Sequence, residues 1–395
     1  MARTSDDKIY HRAKAEIHRN AERVEQGLVN YIPFGLDRFE EYVPGVQRKN
    51  YTIVTANSGV GKSKLTKCLY VIRPVDFIMA NRHLRLKLKI KYFCLEESKE
   101  SFIQSIYCYK LYERFGLRVP IKMLKSVAKK ALPREIRDKM DQLDGYFEEF
   151  EEYVEVIDDI KHGYGIYMNV VEFMEENGTW VKKNIPIWKK SADGKGGSMV
   201  ITPVNDYYVP NYPDTYTEII TDHISKLHPP KGKDLREAIG DYSSIFCCDM
   251  RDKYKCSVIN VQQQASDQEK KQYTYAGASI ISKLEPSLDG LGENKTTQRD
   301  ADEVIGIFAP ARHEIPDHRG YKITKLDDNY RSLMQLKARD GHPNTRIGLY
   351  FDGAVNHFEE LPLAKDMTDE KYEYYLQKCE RSRGISQQTF NFGTP

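Results

Sequence analysis

The stretch Tyr51-Thr52-Ile53-Val54-Thr55-Ala56-Asn57-Ser58-Gly59-Val60-Gly61-Lys62-Ser63 decides the fold. Its opening residues alternate and are β-branched, so Tyr51–Ala56 reads as a strand. The glycine-rich turn Asn57–Gly61 follows, and Lys62–Val71 reads as a helix. Ala56 to Ser63 fits a phosphate-binding loop, with Ala56 at the first glycine position. Backbone N–H groups there turn toward phosphate oxygens, and the helix adds its positive N-terminal end. Ser58, Gly59, Val60, Gly61, Lys62, Ser63 and Lys64 are the candidate nucleotide-binding residues. In such a loop the lysine reaches the β and γ phosphates of ATP and the serine offers its hydroxyl to Mg²⁺.

Working outward, Leu88–Leu95 reads as a second strand and Ser98–Phe115 as a helix. Strand, loop, helix, strand in that order argues for an α/β fold with a mainly parallel sheet. Downstream strands are expected at Glu218–Thr221, Ser257–Val261, Glu303–Phe308, Leu333–Leu336 and Gly348–Phe351, with a helix at Lys233–Lys255. Residues 116–213 read as an insertion. Pro133–Lys161 is densely charged and reads as helical. Gly163–Pro213 is rich in Tyr, Gly, Lys and Pro, and its runs Trp180–Trp188 and Ser198–Val209 suit a hairpin about Gly194, Gly196 and Gly197. Ser5–Asn30 reads as a lone helix with a weak apolar face (Ile9, Ala13, Ile17, Val24), either a solvated leader or a linker that docks on a neighbouring subunit. The expected units are a linker helix at 1–30, an ATPase domain at 31–362, and a helix with a loose tail at 363–395.

With 395 residues, 40% hydrophobic and 30% charged, the chain is long enough for one large α/β domain with insertions or two modest ones. The net charge of +2 neither supports nor excludes a nucleic-acid partner. The seven cysteines have no repeating pair spacing, and Cys247 and Cys248 are adjacent. They read as buried free thiols of a reducing compartment. No signal-like segment opens the chain and no apolar run approaches ~18 residues, so a cytoplasmic location, in a bacterium or a phage-infected cell, and no membrane partner are expected.

An ATPase needs an acidic residue for Mg²⁺ and another to poise the attacking water. Asp222 closes the apolar run Ile219-Ile220-Thr221 and suits the first task. Glu96, just past Leu88–Leu95, suits the second, because α/β folds place their chemistry at the C-terminal ends of strands. Glu96 is expected to stand next to the phosphate loop in the sheet.

These residues resemble a known family. Cys94-Leu95-Glu96-Glu97-Ser98-Lys99-Glu100 is similar to segments of phage primase-helicases and of DnaB-type replicative helicases. Ile219-Ile220-Thr221-Asp222-His223-Ile224-Ser225 resembles the Walker B segment of the phage group, and Val258-Ile259-Asn260-Val261-Gln262-Gln263 the family's sensor strand. Gln298-Arg299-Asp300-Ala301-Asp302-Glu303-Val304 is similar to the segment after the DNA-facing loop. Leu336-Lys337-Ala338-Arg339-Asp340-Gly341 resembles the KxRNG motif, and Ile32-Pro33-Phe34-Gly35-Leu36-Asp37 the start of the ATPase domain. The six segments stand in family order across about 30–362.

The resemblance implies a RecA-like core in an ATP-dependent helicase that moves 5′–3′ on single-stranded DNA as a hexameric ring. It assigns Glu96 as the base, Asp222 as the Mg²⁺ carboxylate and Gln263 as the γ-phosphate sensor. Lys337 and Arg339 would act in trans on the neighbouring subunit's nucleotide. DNA contact falls within Gln264–Gln298, where Lys270, Lys271, Lys283 and Lys295 suit phosphates and Tyr273 and Tyr275 suit stacking or packing. A primase or a helicase loader is a partner that the resemblance leaves open. The chain departs from the pattern at Asp340, where the family prefers Asn, and in the long 116–213 segment. Nothing resembling a primase, zinc-binding or collar domain precedes residue 30. A filament-forming, recombinase-like ATPase and a non-motor ATP switch are the alternatives. Lys337-x-Arg339 argues against the first, and hydrolysis indifferent to DNA would mark the second.

Overall fold

A computed structural model describes residues 8–127, 131–190, 196–212, 214–265, 283–341, 343 and 345–388. The strands, in chain order, are β1 (Asn50–Ala56), β2 (Lys87–Cys94), β3 (Val154–Ile157), β4 (Gly178–Lys190), β5 (Gly197–Pro210), β6 (Thr215–Asp222), β7 (Ser257–Gln263), β8 (Glu303–Phe308), β9 (Asp317–His318), β10 (Tyr321–Lys322), β11 (Tyr330–Ala338), β12 (Arg346–Asp352) and β13 (His357–Glu360). Nine of them form one sheet in the order β13-β12-β11-β8-β1-β7-β6-β2-β3. From β8 to β3 all neighbours are parallel, while β11, β12 and β13 add on as antiparallel strands.

Parallel strands need cover on both faces, and β1 and β6 are buried at every position after the first. Strand alternation sorts their side chains between two cores. On one face Val54, Ile90, Ile220, Ile259 and Ile305 meet Leu65, Leu69 and Ile72 of the helix after β1, together with Phe102 and Ile106 of helix Lys99–Phe115. On the other, Ile53, Phe93, Ile219, Val258 and Val304 meet Ile166 and Val170 of helix Gly163–Glu176, and Ile239 and Met250 further on. The helix after β1 continues past Val71 to Ala80 through a widened turn at Cys68–Ile72. That turn accommodates Pro74, which has no N–H to give to an ordinary α turn.

Three expectations need correction. The stretch Pro133–Lys161 is not helical throughout: after helix Asp144–Tyr153 it enters β3, which pairs in parallel with β2. Apolar Val154 and Ile157 are buried there, and the surrounding acids hide the signal. Second, Gly163–Glu176 is a helix, begun by His162, whose ring accepts the Gly165 N–H. Third, β2 is not beside β1, because β7 and β6 lie between them. The expected hairpin does form: β4 and β5 pair antiparallel as a separate two-stranded sheet.

Helix Ile9–Glu25 leaves Ile9, Ile17 and Val24 exposed, while Arg23 is buried and pairs with Asp214. Near the other end, helix Asp369–Gln388 packs Tyr372 and Tyr375 against Tyr321, Tyr330 and Tyr350. Cys68, Cys94, Cys108, Cys247 and Cys256 are buried free thiols and Cys248 is half-buried; Cys379 lies outside the described side chains. Among the described residues no helix is long and apolar enough to cross a membrane.

Candidate active site

The loop leaving β1 turns on two glycines, Gly59 at φ +71° and Gly61 at φ +115°. Side chains rarely tolerate that region, and a Cβ on Gly61 would sit 3.3 Å from the Phe351 ring. Gly61 then leads into helix Lys62–Lys67. Lys62 is buried and donates to the Asn57 carbonyl at 3.1 Å, so its amine lies folded over the loop. Two arginines brace the loop. Arg312 donates to the Ser58 carbonyl, and buried Arg331 to the Val60 carbonyl at 2.8 Å. Lys64 donates to the Gly353 carbonyl, and burial lowers its pKa.

Asp222 ends β6 on the face that carries this helix. Its Oδ1 accepts from the Ser63 hydroxyl at 2.9 Å and its Oδ2 from the Tyr92 hydroxyl at 2.6 Å. Tyr92 lies on the adjacent strand, where Cys94 is the register partner of Asp222. Burial pushes the Tyr92 phenol well above its usual pKa, and the neighbouring carboxylate adds to the rise, so it stays a donor. Glu96 and Asp222 line one cleft of about 480 Å³ with Ser63 and Lys67, although β2 is not next to β1. The two glutamates after β2 have different partners. Glu97 pairs with the buried Lys67, whereas Glu96 is exposed and lies 3.2 Å from His223 Nε2. Burial lowers the His223 pKa, while Glu96 and Asp222 oppose that shift. Its Nδ1 is buried without a partner among the described residues.

Gln263 ends β7 in register with Ala56, the first residue of the loop. It shares a strand face with Ile259 and so points to the side of the helix Lys62–Lys67. Its side chain makes no hydrogen bond among the described residues, but its carbonyl accepts the Gly292 N–H at 2.8 Å. The glutamines on either side fix the following loop. Gln262 donates to the Gly292 and Asn294 carbonyls at 2.8 and 2.9 Å and accepts from the Thr297 hydroxyl at 2.7 Å. Gln264 bonds to Thr55 Oγ1 and to the backbone of Ser287.

Lys337 and Arg339 are not at this cleft. Ala338 pairs with Glu303, which pairs with Thr52, so they sit at the opposite edge of the sheet from the loop. Lys337 donates to the Ala301 carbonyl at 2.7 Å and also to that of Gln298, and half-exposed Arg339 pairs with Asp302. Asp302 also accepts the Tyr51 N–H at 2.9 Å and pairs with Arg251. Asp302 therefore ties the end of the loop to β1. Lys283 and Lys295 are exposed at the two ends of the polar stretch. Lys270, Lys271, Tyr273 and Tyr275 lie outside the described residues.

Sequence reasoning misses Tyr92, Lys67, Gln262 and Gln264 as parts of this site. Tyr92 does carry a signal: a tyrosine in an apolar strand, in phase with Ile90 and Cys94, needs a buried partner for its hydroxyl. ATP and Mg²⁺ suit the donor set. A hydroxyl and a carboxylate 2.9 Å apart beside a phosphate loop supply hard oxygen atoms. Mg²⁺ commonly takes one or two carboxylates, with water and phosphate completing its shell. Among the described residues no cluster of three or more His, Cys, Asp or Glu side chains offers a rival metal site.

Neither a protein-family model nor a curated protein matches the chain. Solved structures do. The ATPase domain of one DnaB-like replicative helicase superposes with a TM-score of 0.62 at 15% identity, over 90% of this chain and 100% of that one. A second DnaB-like replicative helicase, solved in a study of its interactions with primase, superposes with a TM-score of 0.61 at 16% identity, over 90% of this chain and 68% of that one. The parallel strands β8-β1-β7-β6-β2, the phosphate loop after β1 and the two helical layers thus make a RecA-like core, and the chain has the fold of the ATPase domain of DnaB-like replicative helicases.

Proposed function

We propose that this chain is an ATP-driven DNA helicase that moves 5′–3′ along single-stranded DNA as a hexameric ring and hydrolyses ATP between subunits. The observation that carries this reading is the 2.9 Å contact of Ser63 with Asp222, closed by Tyr92 behind and Glu96 in front. Lys62 swings from the Asn57 carbonyl to the β and γ phosphates, exchanging one oxygen partner for a charged one. Ser63 and Asp222 hold Mg²⁺, which supplies charge neutralisation to the phosphates. Glu96 accepts a proton from, or orients, the attacking water, and the neutral imidazole of His223 keeps that carboxylate in place. Gln263 reports the γ-phosphate to the loop bonded through Gly292. Lys337 and Arg339 lie at the far edge of their own sheet, so the phosphate they serve belongs to a neighbour. An arginine supplied in this way is worth roughly 10³–10⁵ in rate.

The test is fork unwinding with ATP by the wild type and by Lys62→Ala. Unwinding by the wild type alone supports the reading, and unwinding by the mutant contradicts it.

A further inference from the structure

The free half of the β4–β5 ribbon has no counterpart in the chemistry above. Its base is packed: Trp180, Tyr208 and Tyr254 form an aromatic cluster, and the Tyr208 hydroxyl donates to the Met174 carbonyl. Beyond Lys182 it pairs with no further strand among the described residues, and none of its apolar residues there joins a core cluster. Lys182–Lys190 spans roughly 27–30 Å at the rise of a strand. Cross-strand register places Ile185, Ile187, Val200 and Val204 on one face, and Pro186, Trp188, Met199 and Ile201 on the other. Trp188, Met199 and Ile201 are 59%, 57% and 64% exposed. An isolated two-stranded ribbon is marginally stable in water, and one that is apolar on both faces needs cover.

Charge identifies the cover. Residues 178–210 hold five lysines against two aspartates, a net charge of +3. Lys182, Lys189 and Lys190 are exposed with no ion-pair partner among the described residues. The opposite sign is concentrated at the β3 edge of the large sheet. Residues 140–160 contain nine acids and no Lys or Arg. Only Glu149, Glu155 and Asp158 of these have ion-pair partners among the described residues. Beside β3 runs a groove of about 530 Å³ with Ile160, Met168 and Val171 in its lining and exposed Glu172 and Glu175 at its side. Lys91 bonds both Glu155 of β3 and Asn169 of the groove, which joins the two into one surface.

We propose that the ribbon is an assembly arm, and that its lysine-edged apolar half seats in the acidic β3 groove of a second copy of this chain. Arm and groove are different surfaces of one chain, so the contact is head-to-tail and propagates around a ring. The aliphatic content of the arm favours a protein seat, since base stacking on nucleic acid uses aromatic rings. This inference rests on the surface alone and does not depend on the chemistry at the phosphate loop.

The test compares the full-length wild type, Lys189→Glu/Lys190→Glu and Glu172→Lys/Glu175→Lys by mass photometry, alone and mixed, without nucleotide or DNA. All four positions are exposed, and circular dichroism checks the fold. The expected result is an oligomer in the wild type, association at least tenfold weaker in each variant, and recovery when the two variants are mixed. A monomeric wild type, or variants that associate like the wild type, would overturn it. So would unchanged mass together with lost binding of a fluorescent single-stranded oligonucleotide, which would make the ribbon a nucleic-acid arm.

Discussion

At the scale of single residues, the site depends on how each carboxylate is held. Asp222 has one oxygen on Ser63 and the other on Tyr92. A Tyr92→Phe change keeps the packing and removes the donor that orients Asp222. Loss of such a supporting bond typically costs about 10–100-fold in metal affinity. The Mg²⁺ concentration for half-maximal ATP hydrolysis should therefore rise by about tenfold, with the hydrolysis rate recovering at high Mg²⁺; an unchanged Mg²⁺ titration would count against that role.

Glu303 gives a prediction of a different kind. Burial raises its pKa to about 7, against an opposing hydrogen bond from Gln335 at 2.9 Å. Between its usual pKa and about 7 the folded state holds a proton that the unfolded chain has released, so stability falls as pH rises through that window. Glu303→Gln should stabilise the fold at pH 8 by on the order of 2 kcal/mol and leave it unchanged near pH 4. Denaturant midpoints at the two pH values measure this, and an equal effect at both would refute it.

At the scale of elements, sequence is most informative where a pattern is local. β1, its glycine turn and its helix follow from thirteen consecutive residues, and the β4–β5 hairpin from two alternating runs. β3 escapes because only Val154 and Ile157 are buried in a stretch whose acids suggest a solvated helix. The position of β2 is misjudged because strand order is a long-range property: β6 and β7, which separate β2 from β1, come more than a hundred residues later. Glu96 still reaches the cleft, since parallel strands bring their C-terminal ends to one edge of the sheet. The triple Gln262-Gln263-Gln264 is legible only in part. Alternation sends Gln262 and Gln264 to the loop and Gln263 to the nucleotide side. Gln263→Ala should keep nucleotide affinity within about twofold and lose DNA-stimulated hydrolysis. Gln262→Ala leaves buried carbonyls unpaired at a cost of roughly 1–3 kcal/mol, and should increase proteolytic nicking of the loop. Stimulation in Gln263→Ala equal to the wild type would refute the sensor role.

At the scale of the whole molecule, two features place function between chains. Lys337 and Arg339 stand at the sheet edge opposite the phosphate loop, tied to Asp302 and nearby carbonyls. The ribbon and the β3 groove present unlike charges on separate parts of one subunit. Mixing Lys62→Ala subunits with Arg339→Ala subunits should restore hydrolysis to a fraction of the wild-type rate, because some interfaces then combine an intact loop with an intact arginine. Mixtures no more active than either parent would contradict hydrolysis between subunits.

The most direct measurement of the central claim is ATP hydrolysis by the wild-type protein with Mg²⁺, with and without single-stranded DNA, while mass is recorded in the same buffer. A ring motor gives a six-subunit mass and hydrolysis stimulated at least tenfold by DNA. A monomer whose hydrolysis ignores DNA would contradict it.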